Sequence, residues 1–157
     1  MKSDNDKHAE NMTRELLRKK IVIAVDESDY AKTVVKAAYD IAENLDADID
    51  LLTVIEIPQL AGEGELDPNQ IDEEEKKISD YHKELIDSIF SGSTLLIESV
   101  ILHGDPAKKI CEFAKKSNAS LVVIGTRSLG KLRAKLLGSV SDKVIKNCHC
   151  SVLTVRK

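Results

Sequence analysis

The chain has 157 residues, 42% hydrophobic and 32% charged, which reads as one water-soluble globular domain with enough length to bury a core. Its longest apolar runs, 21–25 and 121–124, are too short to span a bilayer, and no apolar stretch at the N-terminus resembles a signal peptide. The cytoplasm is the expected compartment, and no membrane is an expected partner. With no Trp, two Phe and three Tyr, platforms for stacking bases are scarce, so no nucleic acid is expected either.

Residues 1–18 are polar and strongly charged and are expected to form a mobile tail ahead of a domain over 19–157. Ile21, Val22, Ile23, Ala24 and Val25 form a β-branched run ending at Asp26, as in a strand buried on both faces. Ser28 is placed to cap the next element, in which Val34, Val35, Ala38, Ile41, Ala42 and Leu45 recur at helical spacing. A second strand runs through Ile49, Leu51, Leu52, Val54 and Ile55. Residues 58–69 break all periodicity and predict a long loop. Ile71, Ile78, Tyr81, Leu85 and Ile89 then mark an acidic helix, and 95–102 a third strand.

Asp105 followed by Pro106 is a favourable helix start, with Ala107, Ile110, Phe113 and Ala114 as the apolar stripe. A fourth strand over 121–124 stops at Gly125. A basic loop follows, then a helix over about 139–147 and a last strand over 152–155. Strands alternating with helices imply right-handed crossovers and a parallel sheet. Ligands in such sheets bind outside the carboxyl ends of the strands, where the strand order reverses. Asp26, the end of the second strand near Val54, and Gly125 all lie at carboxyl ends.

Charge is unevenly spread. Residues 40–98 hold seventeen acids against three lysines, whereas 125–157 hold eight Lys or Arg against Asp142. Most of this is solvated helix surface. Arg127, Lys131, Arg133 and Lys135, however, crowd one loop that would attract an anion. That loop ends at Gly138 and Ser139, which open a helix. Free N–H groups at a helix start favour phosphate, and a hydroxyl at Ser139 or Ser141 could add a donor. A plain loop with a helix cap has the same residues, so spacing alone leaves both readings open.

Taken together these segments resemble the universal stress protein family. The nucleotide-binding members carry Gly, two residues, Gly, nine residues, then Gly with Ser or Thr, and Gly125, Gly138 and Ser139 fall on that frame. Val25-Asp26-Glu27-Ser28, Leu51-Leu52-Thr53-Val54, His103-Gly104-Asp105-Pro106, residues 121–126 and the ending 150–155 also look like the family. The resemblance covers residues 20–157. It implies a single-domain, Rossmann-like α/β fold with an open parallel five-stranded sheet of order 3-2-1-4-5 and helices on both faces. It further implies a homodimer through the C-terminal edge strand, and ATP, alone or with Mg2+, in the crevice.

The nucleotide-binding set implied is Ala24, Val25, Asp26, Val54, Ile124, Gly125, Arg127, Ser128, Gly138, Ser139, Val140 and Ser141. Asp26 would face the adenosine end and the backbone at Val54 would read adenine, while Gly125, Gly138, Ser139, Val140 and Ser141 would surround ribose and phosphates. Ser128 departs from the pattern, standing where the second glycine belongs. The expected function is an ATP-binding, dimeric signalling module in stress response, acting on a protein partner the sequence does not name. Two alternatives stay open: a structural member that binds no nucleotide, and a slow ATP hydrolase or transferase.

No catalytic constellation supports more than weak hydrolysis. Gly125 and Gly130 have the spacing of a Walker loop and Lys131 follows, but Leu132 replaces the hydroxyl residue that would hold Mg2+. The four histidines are scattered, and Asp26 and Asp105 do not read as an acid/base pair. Cys111, Cys148 and Cys150 are too few for a disulfide framework and are expected to be small apolar fillers, with no metal bound at 148–150.

Overall fold

The computed structural model describes residue 13 and residues 18–56, 68–126 and 139–156. Five strands and four helices alternate: β1 Lys20–Ala24, α1 Ala31–Leu45, β2 Asp48–Ile55, α2 Pro68–Ile89, β3 Ile97–His103, α3 Pro106–Lys116, β4 Leu121–Gly125, α4 Ser139–Asn147 and β5 Ser151–Val155. All strand pairs are parallel, as the alternation of elements predicts, and the sheet order is β3-β2-β1-β4-β5, the order implied by the resemblance.

The period-two alternation of the strands sorts the core into two layers. Ile21, Ile23, Ile49, Leu51 and Val123 face α1 and α2, where they meet Val34, Val35, Ala38, Ala42 and Leu85. Val22, Ala24, Leu52, Val122 and Ile124 face α3 and α4, where they meet Ala107, Ile110, Ala114 and Val144. Ile21, Val22 and Ile23 are wholly buried, which explains why β1 reads as an unbroken apolar run.

The amino edge of the sheet is closed by charge. Arg18, the last residue of the expected tail, reaches Asp48 at 3.0 Å and Asp46 at 2.9 Å. Lys20 lies 3.5 Å from the buried Asp50. Burial pushes the Asp50 carboxyl up, and the Lys20 ammonium pulls it part of the way back.

Two local expectations held differently. Asp105 accepts from the Lys108 N–H at 2.8 Å with Pro106 opening α3, as its sequence predicts. Ser28, by contrast, does not cap α1 through its side chain. Its hydroxyl and N–H both donate to Asp26, and it is the Ser28 carbonyl that accepts from Ala31 N–H at 3.0 Å.

The cysteine reading needs correction. Cys111 of α3 is disulfide-bonded to Cys148, just past α4, and only Cys150 is a free thiol among the described residues. The helices pack side by side on one face, bringing residues 37 apart in sequence to a Cα separation of 4.8 Å. No short-range spacing carries that information, and the cysteines lend no support to a reducing compartment. Denatured, unreduced protein should therefore titrate one thiol, and three after reduction. Reduction should lower stability by about 4 kcal/mol in the loop-entropy account of a cross-link this long. Three thiols before reduction would contradict the pairing.

Candidate functional site

The sheet reverses its order between β1 and β4, and the carboxyl ends of these strands and of β2 lie together there. Ala24 pairs with Leu52 on one side and Ile124 on the other, so β1 stops while β2 runs on to Ile55. In a parallel pair, alternate residues of a strand turn N–H and C=O to the same neighbour. The Leu52 carbonyl accepts from Val25 N–H at 2.9 Å, and the Ile55 carbonyl accepts from Gly104 N–H at 2.9 Å. Val54 therefore faces the β1 side, beyond the last residue of β1.

Ala24, Ile124, Val54 and Val140 all belong to the apolar cluster of the α3/α4 face. Val25 packs on the opposite face, and Ser141 is buried at the start of α4. Asp26 follows Val25 and holds Ser28, shaping the turn into α1. Gly125 is tightly enclosed: a Cβ there would lie 3.0 Å from Tyr30 Cε1 and 3.1 Å from Val34 Cγ2, so these α1 and pre-α1 side chains would have to give way to admit one. Ser139 begins α4. Arg127, Ser128 and Gly138, with the basic loop between them, lie outside the described residues.

Sequence reasoning missed a polar chain beneath this edge. His82 of α2 is wholly buried. Its Nε2 lies 2.8 Å from Thr53 Oγ1, and its Nδ1 lies 2.7 Å from Ser99 Oγ. Thr53 Oγ1 in turn donates to the Val25 carbonyl at 2.9 Å. Ile78, His82 and Leu85 share one helical face, a signal that was available: a histidine in line with the core stripe. Nearby, Tyr81 donates to the Ser28 carbonyl at 3.0 Å, and burial together with the Asp26 carboxylate pushes its hydroxyl up to about 12.

Three comparisons bear on this arrangement. The sequence profile described as the universal stress protein family matches residues 17–156. A universal stress protein of Methanocaldococcus jannaschii is 38% identical over 148 residues, covering 91% of this chain and 85% of its own. Two solved structures share the fold. A universal stress protein in complex with cAMP is 25% identical, with a TM-score of 0.68, covering 87% of this chain and 96% of its own. One from Archaeoglobus fulgidus in complex with dAMP is 26% identical, with a TM-score of 0.61, covering 88% and 98%.

Burial holds the His82 imidazole down to about 4, so the folded state keeps it neutral where an unfolded chain would protonate it below its ordinary value of 6.5. The unfolded state then binds the extra proton between these values, and stability falls as pH drops through that window. The slope is at most about 1.4 kcal/mol per pH unit for one proton. Denaturant unfolding of wild type beside His82→Gln should show this extra loss in wild type alone. Parallel curves from pH 7 to 4.5 would contradict it.

Proposed function

Because the chain belongs to the universal stress protein family, we propose that it binds an adenine nucleotide, ATP in the first place, at the carboxyl edge of its sheet. One observation carries the reading: β2 outruns β1, which turns the Val54 N–H and C=O toward the crevice where the strand order reverses. A backbone donor and acceptor side by side suit the Watson–Crick edge of adenine. The complexes of relatives with cAMP and dAMP support an adenine nucleotide as the ligand class.

In this proposal the base lies against Ala24, Val25, Asp26 and Val54. Ile124, Gly125, Arg127, Ser128, Gly138, Ser139, Val140 and Ser141 receive the ribose and phosphates. The start of α4 offers N–H groups and the positive end of its dipole. Mg2+ would arrive with the triphosphate; among the described residues no group of three His, Cys, Asp or Glu converges on a metal position. Occupancy would change the surface that a cytoplasmic homodimer, joined through the β5 edge, shows to a protein partner. β5 is an edge strand of the sheet, with one side of its backbone unpaired by β4.

The rival reading is a member of the family that does without nucleotide, and Ser128 is the residue that favours it. Phosphate in such a loop is held mainly by backbone N–H groups, which serine retains. A left-handed conformation would cost a non-glycine residue about 1 kcal/mol, less than a tenfold loss of affinity. Calorimetric titration with ATP should show wild type binding, Ser128→Gly binding equally or more tightly, and Gly138→Val losing binding. No heat from wild type and Ser128→Gly at millimolar ATP would overturn the proposal in favour of its rival.

A further inference from the structure

The Val25 carbonyl is bonded in an unusual way. If the β1–β2 ladder continued one step, Val25 would pair with Thr53 and its carbonyl would accept from the Val54 N–H. The Val25 N–H does make its half of that step, to Leu52 at 2.9 Å. The carbonyl, however, is served by the Thr53 side chain at 2.9 Å.

The direction of the whole chain follows from counting hydrogens. Thr53 Oγ1 has a single proton, and the Val25 carbonyl, which only accepts, takes it. Toward His82, Thr53 Oγ1 is therefore an acceptor, and His82 Nε2 carries the N–H. In the neutral ring Nδ1 is then bare and accepts from the Ser99 hydroxyl. The chain runs one way: Ser99 to His82, His82 to Thr53, Thr53 to Val25. It spans β3, α2, β2 and the end of β1, and starts at an exposed serine on the edge strand.

We propose that the Ser99–His82–Thr53 chain is a clasp that occupies the Val25 carbonyl and so keeps the Val54 N–H available to a bound base. Thr53 and His82 are positioning residues, because they act through Val25 and Val54. The half-buried Val25 carbonyl is satisfied without spending the Val54 N–H. The tautomer of His82 is fixed by the same arrangement, so the donor to Thr53 is always present at neutral pH. This inference rests on the nucleotide reading for its purpose, though not for its geometry.

The test compares wild type, Thr53→Val and Thr53→Ser in two experiments. In ligand-free protein, amide hydrogen exchange by NMR should show the Val54 N–H slowing roughly tenfold in Thr53→Val, as it turns to the vacated carbonyl. Thr53→Ser should restore the wild-type rate. In titrations, Thr53→Val should lose roughly three- to tenfold in ATP affinity, the value of one hydrogen bond. Inorganic tripolyphosphate, which lacks the base, should bind as before. A general loosening of the fold would weaken both ligands together. Should Thr53→Val fail to fold, Thr53→Val/His82→Leu removes both buried partners at once and carries the same comparison. Unchanged exchange at Val54, or equal losses for ATP and tripolyphosphate, would overturn the clasp. If wild type binds no ATP, the nucleotide reading falls, and the exchange rates alone decide whether the clasp exists.

Discussion

The position at which β1 ends sets everything at the carboxyl edge of the sheet. β1 lies at the centre, hydrogen-bonded to β2 on one side and β4 on the other, and its middle residues are wholly buried. It stops at Ala24 while β2 continues to Ile55 and β4 to Gly125. The carboxyl ends of β2 and β4 extend past the short central strand, and the chain beyond it is pinned on both sides. Asp26 and Tyr81 hold Ser28 at the turn into α1, and Thr126 N–H donates to the Val155 carbonyl at 3.0 Å. The two edges differ in how they treat polar groups. At the amino edge the carboxylates are met by Arg18 and Lys20; at the carboxyl edge a strand's backbone is turned toward the opening.

Two buried titratable groups show what this arrangement costs. Asp50 and His82 are each driven toward the neutral form by burial, in opposite directions on the pH scale. Asp50 is offset by a nearby ammonium. His82 is offset by hydrogen bonds on both ring nitrogens, which keeps a polar side chain tolerable inside a layer built from Ile, Leu, Val and Ala. An apolar residue would pack there more simply. The presence of histidine is explained by what lies at the end of the chain it feeds, the carbonyl of Val25.

Much of the fold was legible because its elements are locally consistent. The β-branched runs at 21–25 and 121–124, the helical stripes after Ser28 and Asp105, and the Asp105-Pro106 start each agree with the parallel topology. Boundaries moved by a residue or two, since fraying ends obey tertiary contacts more than propensity. Three features were hidden. The Cys111–Cys148 bond depends on two helices packing on the same face. Ser28 looked like a helix cap, but its side chain turns back to donate to the Asp26 carboxylate two residues earlier, and α1 starts three residues on, at Ala31. His82 sat in plain view on the stripe between Ile78 and Leu85, yet its partners Thr53 and Ser99 come from two other elements. Of the candidate site, the strand ends were legible from where apolar runs stop; the contacts of Thr53 and His82 were not, because they arise from strand register and helix packing.

The central claim is that the ligand sits over the truncated end of β1. It is tested most directly by titrating ATP into nitrogen-15-labelled protein and mapping the amide shifts. The account predicts the largest shifts at residues 24–26, at Val54, at 124–126 and at 139–141, with the amino edge around Lys20, Asp48 and Asp50 unmoved. Shifts centred on the amino edge or on the outer face of α2, or none at all at millimolar ATP, would contradict it.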